Sequence, residues 1–348
     1  MLFTRALIPT VKEAPTDATS KSYELLVRGG FIRRVGAGMY DFLPLGLRVL
    51  RKVEGIVRRE MDAAGALEIL MPGLIPAEYY KETERWDRFG DTLFRLKDRK
   101  HADFLLGPTH EELVTDIARR EIRSWRDLPK NLYQIQTKYR DEPRPRGGLL
   151  RCREFSMKDA YSFDVSEDAA KGSYETMRKA YCAVFDRMGL TYRMVAADSG
   201  AMGGSTSAEF QVLADSGEDA IVACENCDYA ANVEVAQAAP AAPDDKTSSE
   251  VAAVLTKVHT PGHGTIDEIT KFLKVAPDRM LKSLVYLAGA ELVMVVVRGD
   301  HAVNEIKLAR AVGVAEMFMA SEADAKKATG ATLFLGNLVF GEDLPIRP

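Results

Sequence analysis

The sequence predicts an α+β fold, with an antiparallel sheet flanked by helices and a second, smaller α/β domain. Two long segments, 46–64 and 166–188, place apolar residues at the three-to-four-residue spacing of amphipathic helices. Between them, 130–140 alternates polar and apolar residues with the period of two that is typical of a strand. Residues 236–250 are rich in Ala, Pro, Asp, Lys and Ser without periodicity, which indicates an exposed linker. The predicted division is therefore 1–235, 236–250 and 251–348.

The first elements follow from apolar spacing and from the residues that end each segment. The helix of 46–64 stops at Gly65, and a short strand over 67–71 is cut by Pro72. An ordinary core helix with an edge strand explains this order of elements on its own. The stripe predicted to face inward consists of Leu47, Leu50, Val53, Ile56, Val57 and Met61.

Two further elements complete the first domain. Segments 92–96 and 102–106 predict a hairpin across a charged turn. The helix of 166–188 ends at Gly189. Its side chains predicted to face inward are Tyr174, Met177, Tyr181, Val184, Phe185 and Met188.

The second domain begins beyond the linker with a helix signal. Thr265 and Glu268 have the spacing of a capping box. Strands are predicted over 283–287 and 292–297, and a helix near 303–312. The residues of the first helix predicted to face inward are Ile266, Ile269, Phe272 and Leu273.

Composition bounds the class of protein. The chain has 348 residues, 46% of them hydrophobic and 28% charged, which is typical of a globular protein with buried cores. No apolar run approaches the roughly 20 residues of a membrane helix, and the first residues lack the basic, apolar and small-residue succession of a signal peptide, so we expect a cytoplasmic protein without a membrane partner. A net charge of -4 argues against coating of nucleic acid, so we expect no DNA partner. Cys224 and Cys227 form a lone C-x-x-C without a second ligand pair, which favours reduced surface thiols over zinc; no metal site is predicted.

Basic residues crowd one segment of this acidic protein. The polar face of strand 130–140 ends in Arg140, a Pro- and Gly-rich loop reverses the chain, and a return strand from about 151 is expected to put Arg151 and Phe155 on one face. Arginine forks bind phosphate oxygens, a phenyl ring stacks under a purine, and Glu142 accepts from its amino group. The segment therefore predicts an ATP site; the alternative is a hairpin with a solvated charged face. Its basic residues are Lys138, Arg140, Arg144, Arg146, Arg151 and Arg153.

The same segment resembles motif 2 of class II aminoacyl-tRNA synthetases, with Tyr-Arg-Asp-Glu at 139–142, a loop, then Arg151 and Phe155. Further segments make the chain similar to bacterial-type prolyl-tRNA synthetases, from residue 1 to about residue 308. The resemblance implies the class II antiparallel sheet, and it identifies the helix and strand of 46–71 with motif 1, the dimer interface of the family. The segments that carry it are 34–44 (RVGAGMYDFLP), 106–112 (LGPTHEE), 157–163 (MKDAYSF) and 203–210 (GGSTSAEF).

The resemblance implies a proline site. Glu111 takes the secondary ammonium of proline, Thr109 its carboxylate or ring edge, and Glu209 lines the same pocket. From the residues alone, Thr109 and Glu111 are equally a helix N-cap with a first-turn acid. Ala208 stands where a histidine often stands in the family, so a direct contact at that position is not expected.

The resemblance also implies an ATP site that uses Mg²⁺ to bridge the phosphates. Arg140 is the catalytic residue, because it bridges the proline carboxylate and the α-phosphate. Glu142 and Phe155 hold adenine, Arg151 reaches the γ-phosphate, and Ser205 lines the pocket. Catalysis then consists chiefly of positioning and charge stabilisation.

The second domain resembles the inserted editing domain of the same family, which deacylates alanyl-tRNA. The similarity lies in 280–284 and 298–307, and Lys282 matches a functional lysine that contacts the tRNA 3′ end. Without the resemblance Lys282 is a solvated lysine at a strand start. A proline pocket discriminates poorly against the smaller alanine, because missing methylenes are worth only about 1–3 kcal/mol each, so editing has a physical purpose.

The resemblance implies a proline--tRNA ligase that acts on L-proline, ATP and tRNA(Pro) as a homodimer. No segment resembles motif 3 or an anticodon-binding domain, from which we expect a chain shortened within the editing domain that charges tRNA poorly by itself. Two other interpretations stay open. One is a stand-alone aminoacyl-tRNA deacylase, and the other is a catalytically silent paralogue acting as a regulatory or RNA-binding subunit.

Overall fold

The computed structural model divides the chain into two compact units, 1–195 with 199–220 and 196–198 with 221–348. It describes residues 2–197, 207–214, 217, 219–233, 235–236, 258–260, 262–263, 265–314, 317–321, 323–324 and 326. The predicted linker falls outside these residues except for position 236, and the predicted domain boundaries therefore stay predictions. Among the described residues, no helix is both long enough and apolar enough to span a membrane.

The first unit combines helices with antiparallel hairpins, as predicted for an α+β fold. Its helices are α1 (Lys21–Arg28), α2 (Pro44–Ala63), α3 (Ala77–Glu82), α4 (Arg85–Arg88), α5 (Glu111–Glu121) and α6 (Glu167–Met188). Its strands are β1 (Ile32–Gly36), β2 (Met39–Phe42), β3 (Leu67–Glu68), β4 (Leu74–Pro76), β5 (Arg95–Lys97), β6 (Asp103–Leu106), β7 (Lys130–Tyr139), β8 (Glu154–Phe163), β9 (Tyr192–Ala197, whose last two residues are assigned to the second unit) and β10 (Ser207–Val212).

The β7–β8 hairpin is the longest pairing and positions the candidate site. Its antiparallel register runs from Lys130 opposite Phe163 to Tyr139 opposite Glu154. The predicted strand over 130–140 is confirmed. The return strand begins at Glu154 rather than near residue 151, because the loop first closes a bridge between Arg146 and Arg151. Short β3 pairs in parallel with β7, while β6 pairs antiparallel with β4 and β5.

The two faces of the hairpin differ as the period of two predicts. On one face Tyr133 is fully buried against Met61 of α2 and Ala180 of α6. The other face carries Gln134 and Lys138, both with no exposed surface. Apolar packing on the long helices therefore fixes which face of β7 is left for polar side chains.

Both long helices end as the sequence predicts, but their inward stripes are narrower. Ser166 caps α6 through the amide of Ala169, and Gly189 ends it with a left-handed φ of 69°. Met61 is fully buried, whereas Val53 is 37% exposed and Tyr174 is 45% exposed, so the prediction that these last two face inward is wrong. Apolar spacing predicts which face of a helix tends to be buried. Which residues of that face are buried depends on the elements that pack against them.

The second unit is a small α/β arrangement around the buried residues Tyr286, Ala288, Ala309 and Met317. The predicted capping box is present, since Thr265 accepts from the Glu268 amide and Glu268 accepts from the Thr265 amide. Ile269 is buried, but Phe272 is 48% exposed, so its predicted inward orientation is wrong. The elements are β11 (Ile221–Ala223), β12 (Ala230–Asn232), α7 (Ile266–Leu273), β13 (Leu281–Ala288), β14 (Glu291–Arg298), α8 (Glu305–Val312) and β15 (Phe318–Met319), with β13 antiparallel to both β14 and β15.

Candidate active site

The turn before α5 brings Thr109 and Glu111 into contact. Thr109 is 3% exposed, and its hydroxyl donates to Glu111 Oε2 at 2.6 Å. Glu111 opens the helix with 35% of its side chain exposed. The N-cap residue is His110, whose side chain makes no capping hydrogen bond, so Thr109 is not the helix cap that the sequence also allowed.

Arg85 pairs with the two acids that begin α5. Its Nη1 lies 3.0 Å from Glu111 Oε2 and 3.0 Å from Glu112 Oε1. The Glu112 side chain is only 2% exposed and also accepts from the Thr83 hydroxyl at 3.0 Å. Glu111 Oε2 thus accepts hydrogen bonds from both Thr109 and Arg85, while Glu111 Oε1 makes no hydrogen bond with the described residues. A cavity of about 190 Å³ opens beside Glu111 and Arg85.

Arg140 lies against both the strand pair and the turn. Its guanidinium carbon is 5.4 Å from the centroid of the Phe155 ring, and Nη2 donates to Pro108 O at a long 3.4 Å. Within the described residues, the buried Nε has no hydrogen-bond partner. Burial lowers the pKa of Arg140, and the carboxylate of Glu111 acts against that shift. The structure thus brings Arg140 and Phe155 together beside the turn, and their roles in binding stay predictions.

Arg151 is placed differently from the expectation. It lies outside β8, so the argument that Arg151 and Phe155 share a strand face is wrong. Instead, Arg151 Nε lies 3.0 Å from Glu142 Oε1 in an ion pair, with Arg151 42% and Glu142 15% exposed. The residues predicted to hold adenine and the γ-phosphate therefore contact each other.

Lys138 is also unlike the expectation. The sequence groups it with the cations that face a polyanion, yet it has no exposed surface. Its ammonium is 2.6 Å from His110 Nδ1 and 3.1 Å from Asp159 Oδ1. Burial lowers the pKa of Lys138, and Asp159 opposes that shift. A cation without solvent access is not open to a ligand, so the expectation that Lys138 faces a polyanion is wrong.

The remaining predicted residues are Glu209, Ser205 and Lys282. Glu209 stands on β10, where its Oε2 accepts from Gln211 at 2.7 Å. Ser205 lies outside the described residues. Lys282 is half-buried on β13 of the second unit, opposite Val297. The roles of all three stay predictions.

Sequence patterns alone assigned no role to Arg85, His110 or Asp159. Arg85 precedes Glu111 by 26 residues and belongs to no recognised motif. His110 belongs to the segment 106–112 that carries the family resemblance. Its position between Thr109 and Glu111, the two residues predicted to bind proline, is the sequence signal that could have identified it. Asp159 is opposite Gln134 in the hairpin register. A predicted register for β7 and β8 would therefore have placed Asp159 on the same hairpin as Lys138.

The C-x-x-C segment lies in the turn between β11 and β12. Cys224 is partly exposed and Cys227 exposed. The Asn226 amide donates to Cys224 Sγ at 3.4 Å and, as the largest cause, lowers the pKa of Cys224. In the described part of the chain no group of three or more His, Cys, Asp or Glu side chains is arranged to bind a metal.

Comparison with known proteins gives two family matches and many relatives. Residues 94–254 match the tRNA synthetase class II core domain (G, H, P, S and T), and residues 260–333 match the aminoacyl-tRNA editing domain. The chain is 54% identical over 331 residues to the proline--tRNA ligase of Geobacter metallireducens, covering 95% of this chain and 57% of the relative. It is 54% identical to that of Pelobacter propionicus, covering 97% and 58%. The chain therefore spans somewhat more than half the length of these relatives.

A solved structure shows the same fold at lower similarity. It is prolyl-tRNA synthetase from Cryptosporidium parvum complexed with halofuginone and AMPPNP, with 18% identity and a TM-score of 0.50. The match covers 57% of this chain and 42% of that chain.

Proposed function

This chain belongs to the bacterial-type prolyl-tRNA synthetases, a family of class II aminoacyl-tRNA synthetases, and we propose that its first unit activates L-proline with ATP. The product is prolyl-adenylate, from which proline passes to tRNA(Pro). The observation that carries the proposal is the half-buried Arg140 beside the Thr109–Glu111 turn, with its buried Nε unpartnered among the described residues and its guanidinium over the Phe155 ring. Desolvated hydrogen-bond donors are costly unless a ligand oxygen meets them.

Recognition of proline rests on the two oxygens of Glu111. Oε2 is held by Thr109 and Arg85, which leaves Oε1 to accept an N–H of the secondary ammonium. Because the Thr109 hydroxyl already gives its proton to Glu111, that oxygen can accept but not donate. Thr109 therefore contacts the ammonium or the ring edge, and the proline carboxylate falls to Arg140.

Activation requires little covalent help from the protein. A proline carboxylate oxygen attacks the α-phosphorus, the bond to the β-phosphate oxygen breaks, and pyrophosphate leaves with the electron pair. Arg140 stabilises the negative charge of the pentavalent phosphorus. A charge pair about 4 Å apart is worth roughly 4 kcal/mol at an effective dielectric near 20, which is a large share of a useful rate enhancement.

Phe155 supports the adenine ring, and Arg151 and Glu142 act as a pair at the ATP site. Their ion pair opens when Glu142 accepts the adenine amino group and Arg151 turns to the γ-phosphate. The pair is partly exposed, so exchanging its partners for those of ATP costs little. Mg²⁺ would be carried chiefly by the phosphates and water, as is usual for this ion at nucleotide sites.

The test is proline-dependent exchange of pyrophosphate into ATP. Arg140→Ala should abolish exchange, because the variant keeps the turn but loses the contact with the transferring phosphate. Arg178→Ala is the matched control, since Arg178 pairs only with neighbouring Glu175 on α6 among the described side chains, and it should leave exchange unchanged. Exchange at the normal rate in Arg140→Ala would refute the role given to Arg140.

We propose further that the second unit hydrolyses alanyl-tRNA(Pro), with Lys282 at the tRNA 3′ end. The support is the match of residues 260–333 to an editing domain and the position of Lys282 at a strand start. Lys282→Ala should lose alanyl-tRNA hydrolysis and keep proline activation. Exposed Lys271 on α7 provides the control Lys271→Ala, which should keep both. Equal hydrolysis by the two variants would contradict the assignment.

The cytoplasmic location and the homodimer also belong to this proposal. Both rest on the family, and the dimer is further supported by the amphipathic helix α2, whose apolar Val49 is 51% exposed. Sedimentation of the purified chain measures the dimer directly, and a monomer at micromolar concentration would contradict it.

A further inference from the structure

Behind the candidate site, buried polar side chains form one connected cluster. We call it the clamp and define it as Lys138, His110 and Asp159, with Gln134 and Tyr161 around the carboxylate. Lys138, His110 and Gln134 have no exposed surface, and Asp159 is 9% exposed. Among the described residues the polar atoms of the clamp are hydrogen-bonded except the buried Asp159 Oδ1, which lies 3.1 Å from the ammonium of Lys138 in an ion pair. Breaking a contact in such a buried network leaves a desolvated group, which makes the arrangement resistant to change.

The ammonium of Lys138 finds a partner for each of its protons. Besides His110 Nδ1 at 2.6 Å, it reaches Asp159 Oδ2 at 3.2 Å and Gln136 Oε1 at 3.2 Å. Asp159 Oδ2 also accepts from Tyr161 at 2.6 Å and from Gln134 Nε2 at 2.9 Å. The charge is therefore compensated in place, and the lysine has no capacity left for a ligand.

His110 is held at both ring nitrogens. Because an ammonium only donates, Nδ1 must accept from Lys138, and because a carbonyl only accepts, Nε2–H must donate to Pro72 O at 3.0 Å. The ring is thus a neutral imidazole in one tautomer. Its backbone amide donates to the Tyr161 hydroxyl at 3.1 Å, so the main chain of the turn is anchored to the same cluster.

We propose that the clamp is the positioning element for proline recognition, setting the distance between the turn that carries Thr109 and Glu111 and the strand end that carries Arg140. His110 lies between the two turn residues, and Lys138 lies two residues before Arg140, which directly follows β7. The inference rests on the proposed function, and it assigns Lys138 to positioning rather than to contact with substrate.

The direct hydrogen bonds between the two substrate-binding elements are longer than the contact within the clamp: the Tyr139 amide donates to Gly107 O at 3.2 Å. Arg140 Nη2 reaches Pro108 O at 3.4 Å, a long hydrogen bond. The contact between Lys138 and His110 is shorter by 0.8 Å, and it is fully buried. Substrate binding at a site depends steeply on such distances, since misplacement by about 1 Å costs on the order of 100-fold in rate.

The charges that face His110 favour its neutral form. Burial and Lys138 lower the pKa of His110, whereas Asp159 and Glu111 act in the opposite direction. Arg140 faces Lys138 from the end of β7 and lowers the pKa of Lys138 further. Protonation of His110 would place an N–H against the ammonium of Lys138, so the clamp holds only while the imidazole is neutral.

The first test reads the tautomer without any ligand. The chain has five histidines, so selective ¹⁵N labelling resolves the imidazole of His110, identified by its loss in His110→Gln. We expect a bare Nδ1 and a protonated Nε2 that persist below the ordinary histidine pKa of 6.5. In Lys138→Met/Asp159→Asn, which removes the buried charge pair together, the same resonances should titrate or mix tautomers. A His110 signal that is unchanged in this double variant would overturn the clamp.

The second test separates positioning from simple stability. Lys138→Met/Asp159→Asn removes the buried charge pair together, so the fold is retained while His110 Nδ1 has lost its donor. We expect this double variant to melt near the wild-type temperature and to bind a non-hydrolysable prolyl-adenylate analogue at least 10-fold more weakly by calorimetry. Lys130→Met, on an exposed position of the same strand, is the matched control and should bind normally.

The outcomes distinguish the two proposals. Equal affinity of the double variant and the wild type would overturn the positioning role and leave the proposed function intact. A wild-type chain that fails to bind the analogue, while His110 keeps the expected tautomer, would contradict the proposed function and with it the purpose given to the clamp.

Discussion

Replacing Lys138 by Met should strongly destabilise the first unit. The substitution keeps the length of the side chain but removes an ammonium that has no exposed surface and lies 3.1 Å from Asp159 Oδ1. Removing one partner of a buried pair costs about 3–5 kcal/mol, because an uncompensated charge stays buried. Against a total stability of about 5–15 kcal/mol, such a loss is a fifth or more.

The assay is urea unfolding followed by tryptophan fluorescence. Both tryptophans, Trp86 and Trp125, lie in the first unit, so the signal reports that unit alone. Adding Asp159→Asn should restore most of the loss, since the amide that replaces the carboxylate keeps an acceptor for Tyr161 or Gln134 without a charge. Lys138→Met within about 1 kcal/mol of the wild type would refute the reasoning, because that is the range of an exposed pair.

Three further predictions follow from the same structure. Because the pKa of His110 is lowered on folding, the unfolded chain takes up its proton first as pH falls; stability should decline below about pH 6.5 in urea unfolding, and less steeply in His110→Gln. Cys152 is 8% exposed and burial raises its pKa to about 11, so at pH 8 iodoacetamide should label exposed Cys227 well before Cys152, as read by peptide mass spectrometry; equal rates would contradict the burial. Phe155→Ala should weaken ATP binding about 5- to 150-fold in calorimetry, the value of one stacked base, while proline binding changes little; unchanged ATP affinity would remove Phe155 from the adenine site.

Much of the hairpin that carries the site was predictable from the sequence. A period of two across 130–140 separates Tyr133, which packs on the helices, from Gln134 and Lys138, which do not. The motif resemblance also identified Arg140 and Phe155, and in the structure the Arg140 guanidinium carbon lies 5.4 Å from the centroid of the Phe155 ring. These features depend on local spacing and on a contiguous motif, so one segment of sequence contains the information.

The rest depends on contacts that no single segment records. The sequence pattern predicts that Lys138 is an exposed cation. Its charge is buried because His110, from the turn before α5, and Asp159, from β8, contact the ammonium and stabilise it. Counting along the chain assigns Arg151 to a strand face, but the loop consumes three more residues before β8 begins. Phe272 obeys helical spacing and contacts the His263 ring at 4.7 Å between centroids, yet nearly half of it stays exposed. Tertiary neighbours thus decide which side chains are buried, and the spacing of apolar residues along the chain predicts only which face of a helix or strand they share.

A crystal structure of the chain with L-proline and a non-hydrolysable ATP analogue tests the central claim most directly. The account predicts the proline nitrogen on Glu111 Oε1, the α-phosphate within hydrogen-bonding distance of Arg140, and adenine on the ring of Phe155, with Lys138 still bound to His110. Density for proline or nucleotide away from these three residues, or Lys138 turned out of the clamp toward the phosphates, would contradict it.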